Sequence, residues 1–247
     1  MPTALSRSSE LERVNREFYE PLWGTARLVR PQRFNTWPLV SMLVAQSRKS
    51  LEVAPGLRPR LPLEHTQFVD MSEQAVTTLQ AAGANAQVGT VDELPFATGI
   101  FDLVCAFDIV EHVEDDEAAL AELSRVLAPG GVLLMSVPLH ADHWTQFDDL
   151  VGHCRRYEPG VLETLLARGK LTIEHSASFG MQPKSSKLLD LGVWYMTHQR
   201  ERAMWWYNHV FMPLGAYFQR PLRLRAGLID TSDVDEVLLV CRKAVGH

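Results

Sequence analysis

Cysteine is scarce in this chain: Cys105, Cys154 and Cys241 are an odd number at wide spacings. Such a set suits neither a disulfide framework nor a zinc site, and it predicts a reducing compartment, the cytoplasm. Long apolar runs are missing too, since none approaches the roughly 18–20 residues that a spanning helix needs. The stretch from Met1 to Glu20 is polar and mixed in charge, which predicts no secretory signal. Positive charge is not in excess either. A formal net charge of −6 argues against a general nucleic-acid binder, because phosphate contacts need clustered Lys and Arg. His140 and His143 lie close in sequence without matching cysteines, so no metal site is expected. There is no internal repeat and no low-complexity tract.

What remains is a chain of 247 residues, 46% of them hydrophobic, enough to bury the core of one large α/β domain with appendages. Ser9 precedes a stretch with Leu11, Val14 and Phe18 at helical spacing, which predicts an N-terminal helix placed like a lid. A second helix is expected over 36–47, with Pro38 in its first turn and Leu39, Met42 and Leu43 on one face. From Ser50 onward apolar strands alternate with amphipathic helices, the pattern of βαβ units and a mainly parallel sheet. Strands are expected near 50–54, 66–70, 86–90, 101–107, 131–137, 171–177 and 236–242. Helices are expected near 72–82, 115–127 and 159–168, the last ending at Gly169. The predicted organisation is an N-terminal helical segment over 1–48, a Rossmann-like domain of 49–180 and 231–247, and an insertion over 181–230.

Four blocks carry the chemistry. Leu51-Glu-Val-Ala-Pro-Gly56 with Phe68-Val-Asp70 reads as strand, tight turn and second strand closed by a carboxylate. In open α/β sheets small molecules bind outside the carboxyl ends of the strands, and an acid at the second strand can accept both hydroxyls of a ribose. Gly89-Thr-Val-Asp-Glu-Leu-Pro-Phe96, Phe101 to Val113 and Arg125 to Pro138 follow in order. In that order the four resemble the class I S-adenosylmethionine-dependent methyltransferases over roughly residues 48–180 and the final strand. The resemblance implies a seven-stranded, mostly parallel sheet with helices on both faces, and S-adenosyl-L-methionine as cofactor.

The family's glycine loop has an acid followed by three glycines at alternating positions. Here the acid is Glu52 and those positions read Ala54, Gly56 and Arg58. Pro59 and Pro62 leave little room for a helix after the first strand, so a loop or single turn is expected. By resemblance Asp70 and Met71 fall at the ribose, while a cap for the helix from Ser72 is the bland alternative for Asp70. Thr90 stands where the family has the aspartate that reaches adenine, with Val91 and Asp92 beside it. Phe107 and Asp108 would complete the cofactor wall.

Methyl transfer from a sulfonium chiefly requires alignment, and a base is needed only for an acceptor that must lose a proton. His112 is one candidate base; Glu111-His112-Val113 can equally start a helix and line the pocket. Asp148 to Tyr157 resembles the Gly-His-x-Arg-Arg-Tyr segment of a methyltransferase subgroup often associated with saccharide or natural-product tailoring, with Cys154 at the variable position. It offers His153 as base, oriented by Asp148 or Asp149, and Arg155, Arg156 and Tyr157 as acceptor contacts. A loop knitted by Arg–Asp pairs is the alternative.

Segment 181–230 holds seven Lys/Arg against three Asp/Glu, and half of the six tryptophans. Trp205 and Trp206 with the neighbouring arginines can stack on a sugar or aromatic acceptor, or rest at an anionic bilayer surface. They can also be plain core in a helical cap, or a homodimer face. The expected function is methyl transfer to a hydroxyl or amine of a small molecule, such as a saccharide or lipid-linked intermediate. The competing expectation, motivated by the altered glycine loop, is a non-catalytic binding protein on the same fold.

Overall fold

A computed structural model describes residues 18–180 and 186–245. Ser9, Leu11 and Val14 of the expected N-terminal helix lie outside them; a helix, α1, covers 18–25. Eight strands form one sheet: β1 Ser50–Val53, β2 Thr66–Asp70, β3 Asn85–Val88, β4 Phe101–Phe107, β5 Leu127–Pro138, β6 Leu171–Ser178, β7 Arg225–Ala226 and β8 Glu236–Lys243. Their order is β3-β2-β1-β4-β5-β8-β6-β7. Strands β1 to β5 pair in parallel, and β8 runs antiparallel between β5 and β6. The seven expected strands are all present. The eighth, β7, is two exposed residues at the edge of the sheet, too short to leave a period in the sequence.

Alternation along β4 divides the core. Val104 and Ala106 face a cluster with Ala119, Leu120 and Leu123 of α4 (Asp116–Val126) and Leu162, Leu165 and Leu166 of α6 (Pro159–Arg168). Leu103 and Cys105 face the other side, against Leu39, Val40 and Leu43 of α2 (Trp37–Ala45). Apolar side chains on both faces of a strand are what a parallel sheet covered by helices on both sides requires. Helix α3 (Glu73–Ala81) places Val76 and Leu79 on Phe68 of β2, and the side chain of Ser72 caps it by accepting from Ala75 N. Asp115 caps α4 in the same way through Ala118 N.

No helix follows β1; residues 54–65 form turns, as Pro59 and Pro62 demand. Between Ser186 and Tyr217 the insertion is helical: α7 (Ser186–His198), α8 (Arg200–Trp206), a π-helical turn Tyr207–Phe211 and α9 (Met212–Tyr217), after which a loop leads to β7 at the sheet edge. A third apolar cluster ties it down. Phe18, Leu22 and Trp23 of α1 meet Leu57 of the first loop, Ala75, Val151 of α5 (Gln146–Val151) and Met204 of α8. Among the described residues, no helix is long and apolar enough to cross a membrane.

Candidate active site

Register sets the site. Val53 pairs with Val69 on one side and Ala106 on the other, so β1, β2 and β4 end level with one another. Their next residues, Ala54 to Gly56, Asp70 and Asp108, therefore emerge at a single edge. Three of these take unusual backbone: Ala54 (φ 54°), Gly56 (φ 52°) and Asp108 (φ 49°) are all left-handed. Gly56 must be glycine for a second reason. A Cβ there would lie 2.1 Å from a ring carbon of Trp23. The loop thus allows a flat group to rest directly on its backbone, which is the approach that glycines serve in nucleotide loops.

Asp70 is 5% exposed, and its two oxygens accept from Gly56 N and Ser72 N, each at 2.8 Å. Burial pushes its carboxyl up to about 6, against those two donors. Asp70 does not cap α3 itself; it orders the two turns beside it, and each oxygen keeps a lone pair for a further donor such as a ribose hydroxyl. Glu52 accepts from the backbone N–H groups of Arg60 and Leu61, which folds the loop back beneath β1. Burial raises its carboxyl to about 7. Val91 is buried in the main core, Thr90 and Asp92 are exposed, and Met71 is half-buried. Phe107 packs near Phe179, with the Arg60 guanidinium 5.5 Å from its ring.

Arg58 has a use that its position in the loop does not suggest. It donates to Tyr207 Oη at 3.1 Å and Asn208 Oδ1 at 3.0 Å, and lies over the rings of Trp23 and Tyr207. Asn208 in turn donates to Leu22 O at 2.9 Å. The loop, α1 and the insertion are latched at one point.

Beyond Asp108 the chain makes a 3-10 turn, Val110–His112, before α4 starts at Asp116. Opposite it, α5 begins with a capping box in which Asp148 Oδ2 accepts from Thr145 N. Gly152 ends that helix in the left-handed region (φ 78°) and turns the chain back, so that His153 Nδ1 lies 2.8 Å from Asp148 Oδ1. Burial opposes the charge on Asp148, but hydrogen bonds from His153, Arg156 and Thr145 prevail and hold its carboxyl well below the usual range. His153 Nε2 faces Glu111 Oε1 at 4.0 Å, and its ring meets that of His112 edge-on at 4.6 Å. Burial, then the nearby His153, lowers His112 to about 3, so it is a neutral imidazole near pH 7. Glu111 is fully buried; burial, then Asp108, raises its carboxyl well above the usual range. Tyr19 Oη completes the cluster at 3.4 Å from His112 Nε2.

The structure thus brings His112, His153 and Asp148 together with Glu111 and Tyr19, which sequence reasoning did not place in one cluster. Asp149 instead accepts from Trp144 Nε1. It also turns the expected acceptor contacts inward. Arg156 is buried and grips Asp148 with two nitrogens, and Arg155 bonds Asp116 and the carbonyls of Val113 and Glu114. Tyr157 is buried and donates to Asp116 Oδ2 at 3.0 Å. These are the Arg–Asp pairs of the structural alternative. Trp205 and Trp206 are about half exposed on α8, Trp205 stacking on His209. A further acidic pair went unseen: Asp108 accepts from Ser136 Oγ at 2.7 Å and lies near Glu236 at the start of β8. Desolvation raises both carboxyls above their usual range.

Known proteins agree with this arrangement. A family model described as a methyltransferase domain matches residues 53–135, from the end of β1 to β5. The Escherichia coli (strain K12) "uncharacterized protein YafE" is 30% identical over 116 residues, which are 44% of this chain and 56% of that protein. A Mycolicibacterium smegmatis "probable S-adenosylmethionine-dependent methyltransferase" is 35% identical over 72 residues, 28% of each chain. The chain therefore spans about half the length of the first relative and just over a quarter of the second. Among solved structures, a Thermotoga maritima "SAM-dependent methyltransferase, possible histamine N-methyltransferase" superposes with a TM-score of 0.57 over 97% of this chain and 96% of that one. At 15% identity that likeness concerns the fold alone. Motif order, level strand ends and a matching domain point the same way: residues 53–135 match a methyltransferase domain, and the fold is that of the S-adenosylmethionine-dependent methyltransferases, whose cofactor is S-adenosyl-L-methionine.

Proposed function

We propose that the protein methylates a hydroxyl or amine of a small molecule held beside His153. The observation that carries this reading is the Asp148–His153 pair, with Nδ1 fixed at 2.8 Å and Nε2 turned into the cluster at the end of β4. When bound, S-adenosylmethionine supplies a methyl group already activated on a positively charged sulfur. The chain's own residues then have two tasks. Asp70, beside the left-handed turn Ala54–Gly56, binds and orients the nucleoside end. Asp148 fixes the tautomer of His153, whose Nε2 takes the acceptor's proton as the new bond to carbon forms. Tyr19 and Trp23 of α1 cover the strand ends and exclude water.

An amphipathic acceptor, such as a saccharide on a lipid carrier, fits the insertion best. Trp194, Trp205, Phe211, Tyr217 and Phe218 are exposed there, at 73–77% for the last two, close in sequence to Arg220, Arg223 and Arg225. Aromatic and basic side chains together suit the boundary between an anionic surface and water.

The competing reading, a non-catalytic binder, is motivated by Arg58 in the glycine loop, and the latch to Tyr207 and Asn208 gives that arginine another purpose. Calorimetry with S-adenosylmethionine and S-adenosylhomocysteine on ligand-free protein decides between them. Micromolar binding lost in Asp70→Ala is expected, with S-adenosylhomocysteine formed from S-adenosylmethionine when a saccharide or lipid-linked acceptor is added. A well-folded protein that binds neither compound would sink the enzyme reading.

A further inference from the structure

Glu111, His112 and His153 each offer a ligand-type atom, and these atoms all lie within 4.8 Å of one another. Two features set the trio apart from an ordinary polar cluster. Glu111 is fully buried, and neither of its oxygens has a hydrogen-bond partner among the described residues. A charged group so placed is costly unless a counter-charge or a proton meets it. The imidazoles, in addition, are oriented from behind. His153 holds Asp148 through Nδ1 and leaves Nε2 toward Glu111, and the His112 ring is hydrogen-bonded to the Gly152 backbone. Asp148 is itself fixed by Arg156 and Thr145. Metal-binding histidines are characteristically held in this way, one nitrogen on a carboxylate or carbonyl and the other on the ion.

We propose that Glu111, His112 and His153 bind one divalent transition-metal ion of the zinc or cobalt class. Two imidazoles and a carboxylate match that class, whereas magnesium and calcium prefer oxygen ligands throughout. Neighbouring ligands of a tetrahedral zinc ion at about 2.1 Å sit about 3.4 Å apart, so the 4.0 Å between His153 Nε2 and Glu111 Oε1 closes by less than about 1 Å. Side-chain torsion supplies that movement. Tyr19 Oη lies at the edge of the site, 3.4 Å from His112 Nε2.

Binding does not depend on the proposed methyl transfer, but its use does. With the ion in place, His153 Nε2 holds the metal, and the base role given to it above belongs to the metal-free protein. An acceptor hydroxyl then binds the ion through oxygen, its acidity rises, and its proton leaves to water with no change of oxidation state. That narrows the acceptor from hydroxyl or amine to an oxygen nucleophile.

The test is titration of the chelator-stripped full chain with Co²⁺ and Zn²⁺, followed by visible absorption and competition with a chelating dye. One equivalent is expected, with cobalt d–d bands of a low-symmetry nitrogen and oxygen site. Glu111→Gln and His153→Gln should each weaken binding tenfold or more, and Asp148→Asn about 10–100-fold through the orientation of His153. His143→Ala should change nothing, although His140 and His143 form the other close histidine pair, with rings 5.0 Å apart. Absence of a stoichiometric ion in wild type overturns the proposal, as does loss in His143→Ala with none in Glu111→Gln. Melting curves in chelator check the fold of each variant, and His153→Gln reads the same site should Glu111→Gln fail to fold. S-adenosylhomocysteine binding to the stripped protein is measured in parallel. Nucleoside binding without metal binding removes this inference alone, and metal binding without nucleoside binding removes the methyltransferase reading alone.

Discussion

The ring of Trp23 lies against the backbone of Gly56, so close that an added methyl would stand 2.1 Å from a ring carbon. Gly56→Ala meets that ring and also places a Cβ on a residue at φ 52°. A stability loss of about 1–3 kcal/mol is expected, with weakened cofactor binding. Denaturant melts check it. Adding Trp23→Ala should recover only the steric share, leaving roughly 1 kcal/mol from the backbone. Full recovery in the double variant would mean that the left-handed conformation is not the constraint.

At Ala54 the effect runs the other way. This residue already bears a Cβ at φ 54° in the position where the family has its first loop glycine. Ala54→Gly should raise stability by up to about 1 kcal/mol, since relief of strain exceeds the added freedom of the unfolded chain. Unchanged or lower stability would show that the Ala54 methyl, which packs against the main core, matters more.

Burial pushes Asp70 up to about 6, and donation from ribose hydroxyls favours its ionised form. Cofactor affinity should therefore be flat above that pH and fall about tenfold per unit below it. Calorimetry from pH 5 to 8 measures the slope, and Asp70→Asn should lose the slope along with about 1–3 kcal/mol of binding. A wild-type affinity independent of pH would remove the carboxylate from the ribose.

Both His153→Ala and Asp148→Asn should lower turnover about 100-fold or more, with S-adenosylhomocysteine affinity little changed. The two act through one group, so the double variant should lose little more than the worse single. Single-turnover rates separate this from a folding defect. Additive losses would place the two residues in separate roles.

Glu52 makes a pH-dependent contribution to folding. Its carboxyl is raised to about 7 by burial, whereas in an unfolded chain it titrates near 4.5. The folded state binds the extra proton between those values, so this contribution is whole below about 4.5 and is lost as pH rises through about 7. The difference in stability between wild type and Glu52→Gln should shift against wild type by on the order of 3 kcal/mol across that window. A difference that is constant with pH would show Glu52 to be ionised throughout.

Local pattern made most of the frame legible. Helices 73–81, 116–126 and 159–168 carry caps or prolines at their starts and one apolar face each, and their expected bounds differ from the observed ones by a residue or so. The loop after β1 followed from Pro59 and Pro62 in the same way. Contacts across the chain left no such trace. Glu111 meets His153 only because Gly152 reverses the backbone behind α5, and Glu236 reaches Asp108 only because β8 enters the sheet from the same edge. Arg156 reads from the sequence equally as an acceptor contact or as half of an Arg–Asp pair, because nothing in a row of residues shows that Asp148 already occupies it. The two-residue β7 owes its existence to an available edge on β6 rather than to its own sequence.

Arg58 fastens three separate stretches of chain at once: its own loop, Tyr207 and Asn208 of the insertion, and, through Asn208, Leu22 of α1. A nucleoside entering beneath Trp23 must wait for that fastening to release, so capture becomes a gated process whose observed rate levels off as ligand concentration rises. In stopped-flow fluorescence Arg58→Ala should lift the plateau and speed dissociation as well, leaving the arginine as the residue that sets how long the cofactor stays.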